Sequence, residues 1–140
     1  MITSNQDIIL ENRKTILLVD DNAAFLKYFT KLLKSTSLYN ILESSDVNLS
    51  LQLAKANTPD LILLDVLMPQ KGGQELINDF RKVDTLSETP ILFLTGIIDY
   101  MECDGGIKKI GTCYFLAKNT PSDSILKIIY EKTHGSNSFH

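Results

Sequence analysis

The stretch Thr15-Ile16-Leu17-Leu18-Val19-Asp20-Asp21-Asn22 decides the architecture of this chain. A short apolar run stops abruptly at two carboxylates. Three later runs repeat the pattern. Leu61-Ile62-Leu63-Leu64 stops at Asp65, Ile91-Leu92-Phe93-Leu94 at Thr95, and Tyr114-Phe115-Leu116-Ala117 at Lys118. Short runs without polar alternation, separated by helical patterns, predict parallel strands covered on both faces. Such strands bring their C-terminal ends to one edge of the sheet, where open α/β folds bind ligands. Asp20, Asp21, Asp65, Thr95 and Lys118 are therefore expected to meet there.

Working outward, residues 23–33 carry Phe25, Phe29, Leu32 and Leu33 at helical spacing, with Asp21 or Asn22 in place to cap the start. A second strand is expected over 40–43. Asp46 then caps a helix carrying Leu49, Leu51, Leu53 and Ala54, which Thr58-Pro59 ends. Beyond Asp65, Val66-Leu67-Met68-Pro69 and Gly72-Gly73 read as a loop leading into a helix over 74–82 with Leu76, Ile77 and Phe80 inward. The last helix is predicted from Thr120-Pro121-Ser122-Asp123, with Thr120 as cap and Ile125, Leu126, Ile128 and Ile129 as its buried stripe. Segment 97–109 occupies a helix slot but is a poor helix. Gly105 and Gly106 sit in its middle, each costing ~1 kcal/mol relative to alanine. It is expected to be short, broken or mobile; equally, the glycines end a short helix and open a surface loop. Five strand–helix repeats predict a doubly wound α/β sandwich in one domain. A polar arm (1–13) precedes that domain (14–133), and a tail (134–140) follows.

Bulk properties narrow the function classes. The 140 residues are 44% hydrophobic and 22% charged, with a net charge of −3. That balance argues against nucleic acid or an anionic membrane as partner. No apolar stretch approaches the ~20 residues that span a bilayer, and the polar start lacks a signal-peptide pattern, so the cytoplasm is the expected location. Cys103 and Cys113 form no CxxC pair and are expected to be reduced thiols. His134 and His140 are expected to be solvated. Neither GxxxxGK[ST] nor GxGxxG is present, which disfavours a nucleotide or flavin carrier on this fold.

The converging groups suit one chemistry. Three carboxylates at one edge repel unless a cation lies among them. Mg²⁺ takes oxygen ligands and is held by one or two carboxylates together with phosphate oxygens. An aspartate can accept a phosphoryl group covalently. Lys118 and Thr95 supply the cation and hydroxyl that the transferring group needs. Taken singly, Asp21 reads as a cap, Thr95 as a turn residue and Lys118 as a solvated charge. Agreement at four strand ends favours the site.

The ordered set also resembles a known family. Ile16-Leu17-Leu18-Val19-Asp20-Asp21-Asn22, Pro59 through Asp65, Met68-Pro69 with Gly73, Leu94-Thr95 and Phe115-Leu116-Ala117-Lys118 together resemble the receiver domain of bacterial two-component response regulators. The likeness covers about residues 14–133. It implies a flavodoxin-like, five-stranded parallel sheet of order 2-1-3-4-5 with helices on both faces. It also implies that Asp65 is the phosphoacceptor and that Asp21, Asp65 and the Leu67 carbonyl bind Mg²⁺, with Asp20 acting through water or a hydrogen bond. Lys118 would pair with Asp65 at rest, Thr95 would move to a phosphoryl oxygen, and Phe115 would be the switch aromatic. The chain would then be a signalling switch rather than a turnover enzyme. Its phosphoryl donor would be a histidine kinase or phosphotransfer protein, it would act on a downstream protein target, and it would be a monomer or weak dimer.

Two departures stand out. Asn119 replaces the proline that normally follows the lysine, and a trans Lys118–Asn119 bond is expected. Leu67 and Ile97, which by the resemblance flank the phosphoryl site, are apolar and cannot orient water, which predicts a long-lived phosphoryl-aspartate. The competing readings are a pseudo-receiver acting only as a protein-interaction module, and a receiver fragment of a larger regulator or hybrid histidine kinase.

Overall fold

The computed structural model describes residues 13–66, 73–111 and 113–135. The predicted arm up to residue 12, the Leu67 carbonyl, Met68-Pro69 and His140 lie outside them. The elements run β1 (Lys14–Val19), α1 (Ala23–Lys34), β2 (Tyr39–Ser44), α2 (Val47–Asn57), β3 (Leu61–Asp65), α3 (Gly73–Arg81), β4 (Ile91–Thr95), β5 (Ile107–Ile110), β6 (Cys113–Ala117) and α4 (Ser122–His134). Single 3₁₀ turns lie at Asp84–Leu86 and Tyr100–Glu102. The sheet order is β2-β1-β3-β4-β6-β5. All neighbouring pairs are parallel except β5 with β6.

Strand periodicity splits the apolar runs between two cores. Ile16 and Leu18 of β1 face Phe29 and Leu33 of α1 and Ile125 and Ile129 of α4. Leu17 and Val19 face Ala54 of α2 and Leu76 and Phe80 of α3. All of these are fully buried. Each large aliphatic or aromatic side chain so placed contributes about 1.5–3 kcal/mol. That double coverage is why the central strands show no polar alternation. Asn22 caps α1 by accepting from Phe25 N (3.0 Å), and Asp46 caps α2 by accepting from Leu49 N (2.8 Å). Of the two candidates for the first cap, Asn22 takes it.

The predicted strand order holds for the five parallel strands, with β6 as the fifth. Two expectations are corrected. No α-helix forms over 97–109. The described residues hold four α-helices and a sixth strand, because Tyr100–Glu102 is a 3₁₀ turn and Ile107–Ile110 pairs antiparallel with β6. Gly106 accounts for much of this. Its φ is +90°, outside helical space, and a Cβ there would lie 2.5 Å from Ile128 Cδ1. The hairpin thus approaches α4 closely through a residue whose positive φ favours glycine, with the end of the Ile128 side chain against it. Thr120 is likewise not the cap of α4. Its hydroxyl donates to Ala117 O (2.6 Å), and Pro121 holds the cap position.

Candidate functional site

Register assembles the site. β1 pairs with β3 through Val19 and Leu64, so the next residues, Asp20 and Asp65, are neighbours. β4 pairs with β6 through Thr95 and Ala117, which sets Lys118 beyond Thr95. Lys118 N donates to Thr95 O (2.8 Å) and fixes that step. Five residues predicted from separate strand ends are thereby brought to one edge.

The carboxylates differ in exposure. Asp20 is fully buried and Asp65 nearly so, at 6%, while Asp21 is exposed. One ligand oxygen from each lies within 4.8 Å of the others. Asp20 Oδ1 accepts from Asn22 N (2.9 Å), so the start of α1 orients it. The Lys118 ammonium sits 2.7 Å from Asp20 Oδ2 and 3.7 Å from Asp65 Oδ1, with its side chain 20% exposed. The expected pairing of Lys118 with Asp65 is therefore shared, and the shorter contact goes to Asp20. The physical reason is burial: the fully dehydrated carboxylate has the greater need of a counter-charge.

Thr95 is buried, and its Oγ1 accepts from Ile97 N (3.1 Å). Phe115 is half-buried and stacked on Phe93, with centroids 5.2 Å apart and planes at 22°. Ile97 is 73% exposed on the loop after β4. Two contributors were not singled out as site residues from the sequence. Phe25 places its ring 4.6 Å from Lys118 Nζ, a cation–π contact. Its helical spacing marked it only as core; an aromatic in the first turn after an acidic pair was the available signal. Asn119 bonds to the Asp99–Tyr100 turn, and nothing local in the sequence announces that contact. The Lys118–Asn119 bond is trans, since no cis peptide occurs among the described residues.

The profile of the response regulator receiver domain matches residues 16–130. The chain belongs to the response regulator receiver family. This receiver is 39% identical over 93 residues to histidine kinase P4 of Formosa agariphila, a match covering 66% of this chain and 7% of that protein. It superposes on Vibrio cholerae chemotaxis protein CheY4 with a TM-score of 0.71 at 26% identity, covering 85% of this chain and 98% of the other. The receiver domain of Pseudomonas aeruginosa sensor histidine kinase PA1611, solved with a magnesium ion in its active-site cleft, shares the fold at TM-score 0.68 and 22% identity, covering 85% and 96%. The chain spans less than half the length of the first curated relatives it matches. Receivers of this family act as signalling switches in two-component systems, and the relatives include hybrid histidine kinases. Among the described residues no helix is long and apolar enough to cross a membrane.

Proposed function

We propose that this receiver is an active phosphoacceptor. Asp65 takes a phosphoryl group from a phosphohistidine of a histidine kinase or phosphotransfer protein. The observation that carries this reading is the acidic cluster of Asp20, Asp21 and Asp65, with the Lys118 ammonium reaching Asp20 and Asp65. Two buried carboxylates beside a third suit a hard, oxygen-seeking cation, and Mg²⁺ fits that donor set. Asp21 and Asp65 would hold the ion directly, with Asp20 behind them. The bound ion would supply charge neutralisation that lets an anionic oxygen approach phosphorus.

A carboxylate oxygen of Asp65 attacks the phosphorus, the bond to the donor nitrogen breaks, and the donor leaves as neutral histidine after protonation. Lys118 already lies within reach of Asp65, and a short move carries its ammonium to a phosphoryl oxygen. The Thr95 hydroxyl can donate to a second one while its oxygen stays engaged by Ile97 N. Phe115, the neighbour of Phe93 across the β4–β6 pair, is placed to respond as Thr95 shifts, and a changed packing of the hairpin–α4 face would be the readout to a target protein. Ile97 has no group to orient water, which supports slow hydrolysis of the product.

Intact mass after incubation with Mg²⁺ and acetyl phosphate tests this reading. Wild type should gain one phosphoryl group and Asp65→Asn none. After donor removal the gain should persist for minutes, and loss within seconds would overturn the slow-hydrolysis part. No gain in folded wild type would leave the interaction-module reading in its place.

A further inference from the structure

The residue that replaces the expected proline makes two hydrogen bonds across the mouth of the site. Asn119 Oδ1 accepts from Tyr100 N (2.9 Å), and its Nδ2 donates to Asp99 Oδ2 (3.0 Å). Asp99 Oδ1 accepts from Met101 N (2.8 Å), and Asp99 N donates to Glu102 Oε1 (3.1 Å). One amide therefore joins the loop that follows β4 to the loop that follows β6. These loops follow Thr95 and Ala117, and Gly96 to Asp99 of the first line one cleft with Lys118 and Asn119 of the second.

We propose that Asn119 is a positioning residue. By clasping the Asp99–Tyr100 turn, it holds Lys118 in the place where its ammonium reaches both Asp20 and Asp65. Lys118 is anchored on its amino side by its own N–H on Thr95 O. On its carboxyl side, Thr120 closes a turn onto Ala117 O through both its N–H and its hydroxyl. Between these anchors the Asn119 side chain ties the backbone to the neighbouring loop. A side-chain clasp thus takes over the restraint that a proline ring supplies through its fixed φ. The same clasp couples the loop leaving Thr95 to the loop leaving Lys118, so the two phosphoryl-binding groups move as a unit. This inference deepens the phosphoacceptor reading and rests on it.

The chemistry of the clasp allows a test by exchange. Asn119→Asp sets two carboxylates against each other and breaks the clasp. Asp99→Asn leaves one oxygen where two acceptors are needed. The double variant D99N/N119D restores every bond. The carboxylate introduced at position 119 would accept from Tyr100 N and from the amide introduced at position 99, whose oxygen would still take Met101 N. Net charge is then unchanged from wild type.

Two readouts are followed, the rate of phosphorylation by acetyl phosphate at saturating donor and the NMR resonance of the Lys118 side-chain amine in the unphosphorylated protein. Each single variant should slow phosphorylation roughly tenfold and move the Lys118 resonance, with Mg²⁺ affinity within about twofold of wild type. The double variant should return both readouts to near wild type. Single variants as fast as wild type, or a double variant as slow as the singles, would overturn the proposal. If wild type itself accepts no phosphoryl group, the phosphoacceptor reading fails. The Lys118 resonance then decides the clasp alone: shifted in the singles and restored in the double supports it, and unmoved refutes it.

Discussion

Lys118 carries the electrostatic balance of the site. Asp20 is fully buried, and the ammonium 2.7 Å away is the counter-charge closest to it among the described residues. A buried pair adds little net stability over an apolar pair, but removing one member leaves a dehydrated charge behind. Lys118→Met should therefore cost about 2–4 kcal/mol in urea unfolding without divalent cations, discounted from the fully buried case because the lysine is partly exposed. Adding Mg²⁺ should narrow that gap, since a cation then compensates Asp20. An unchanged midpoint in the absence of metal would refute this account of Lys118. That the five candidate residues share one edge was legible in the sequence, because a strand end is a local signal. The finer partition was not. Whether the ammonium favours Asp20 or Asp65 depends on relative dehydration across two strands, and Phe25 beneath it carries a spacing indistinguishable from that of core residues.

At the scale of elements, the parallel strands and four α-helices followed from local pattern, caps and breakers. The hairpin did not. Gly105 and Gly106 marked a helix over 97–109 as weak, but its absence, and what replaces it, depend on distant partners. Ile107-Lys108-Lys109-Ile110 is too short to declare its period. It becomes a strand because β6 offers it Leu116, Phe115, Tyr114 and Cys113 in register. Gly106 combines a φ of +90° with a close approach to Ile128, 22 residues along the chain. Gly106→Ala would place a methyl in backbone space unfavourable to L-residues and against that side chain. It should destabilise by about 1–3 kcal/mol in denaturant unfolding. Gly96→Ala, where a Cβ meets nothing within 4 Å and φ is not positive, is the control and should stay within about 0.5 kcal/mol. Equal effects at the two glycines would show that neither the left-handed backbone nor the approach to α4 constrains position 106.

For the whole molecule, the proposed metal site is tied to the centre of the sheet. Asp20 and Asp21 follow β1 and Asp65 ends β3, and these strands pair with each other and are buried in both cores. The unfolded chain scatters the three carboxylates, with Asp65 44 residues beyond Asp21. A cation that binds only the assembled cluster must therefore stabilise the entire cooperative unit rather than one loop. At a hundredfold excess over its dissociation constant, Mg²⁺ should add about 2.7 kcal/mol. For a domain of this size that is roughly a 10 °C rise in Tm. Asp65→Asn and Asp21→Asn should lose most of the rise, because each removes a carboxylate from the shared cluster. Asp65→Asn should also start at or above the wild-type Tm without metal, since it relieves repulsion among groups whose oxygens lie within 4.8 Å. Calorimetry of the three proteins with and without Mg²⁺ decides the matter. A rise as large in Asp65→Asn as in wild type would place the ion elsewhere, and no rise in wild type would remove the metal from the proposed mechanism.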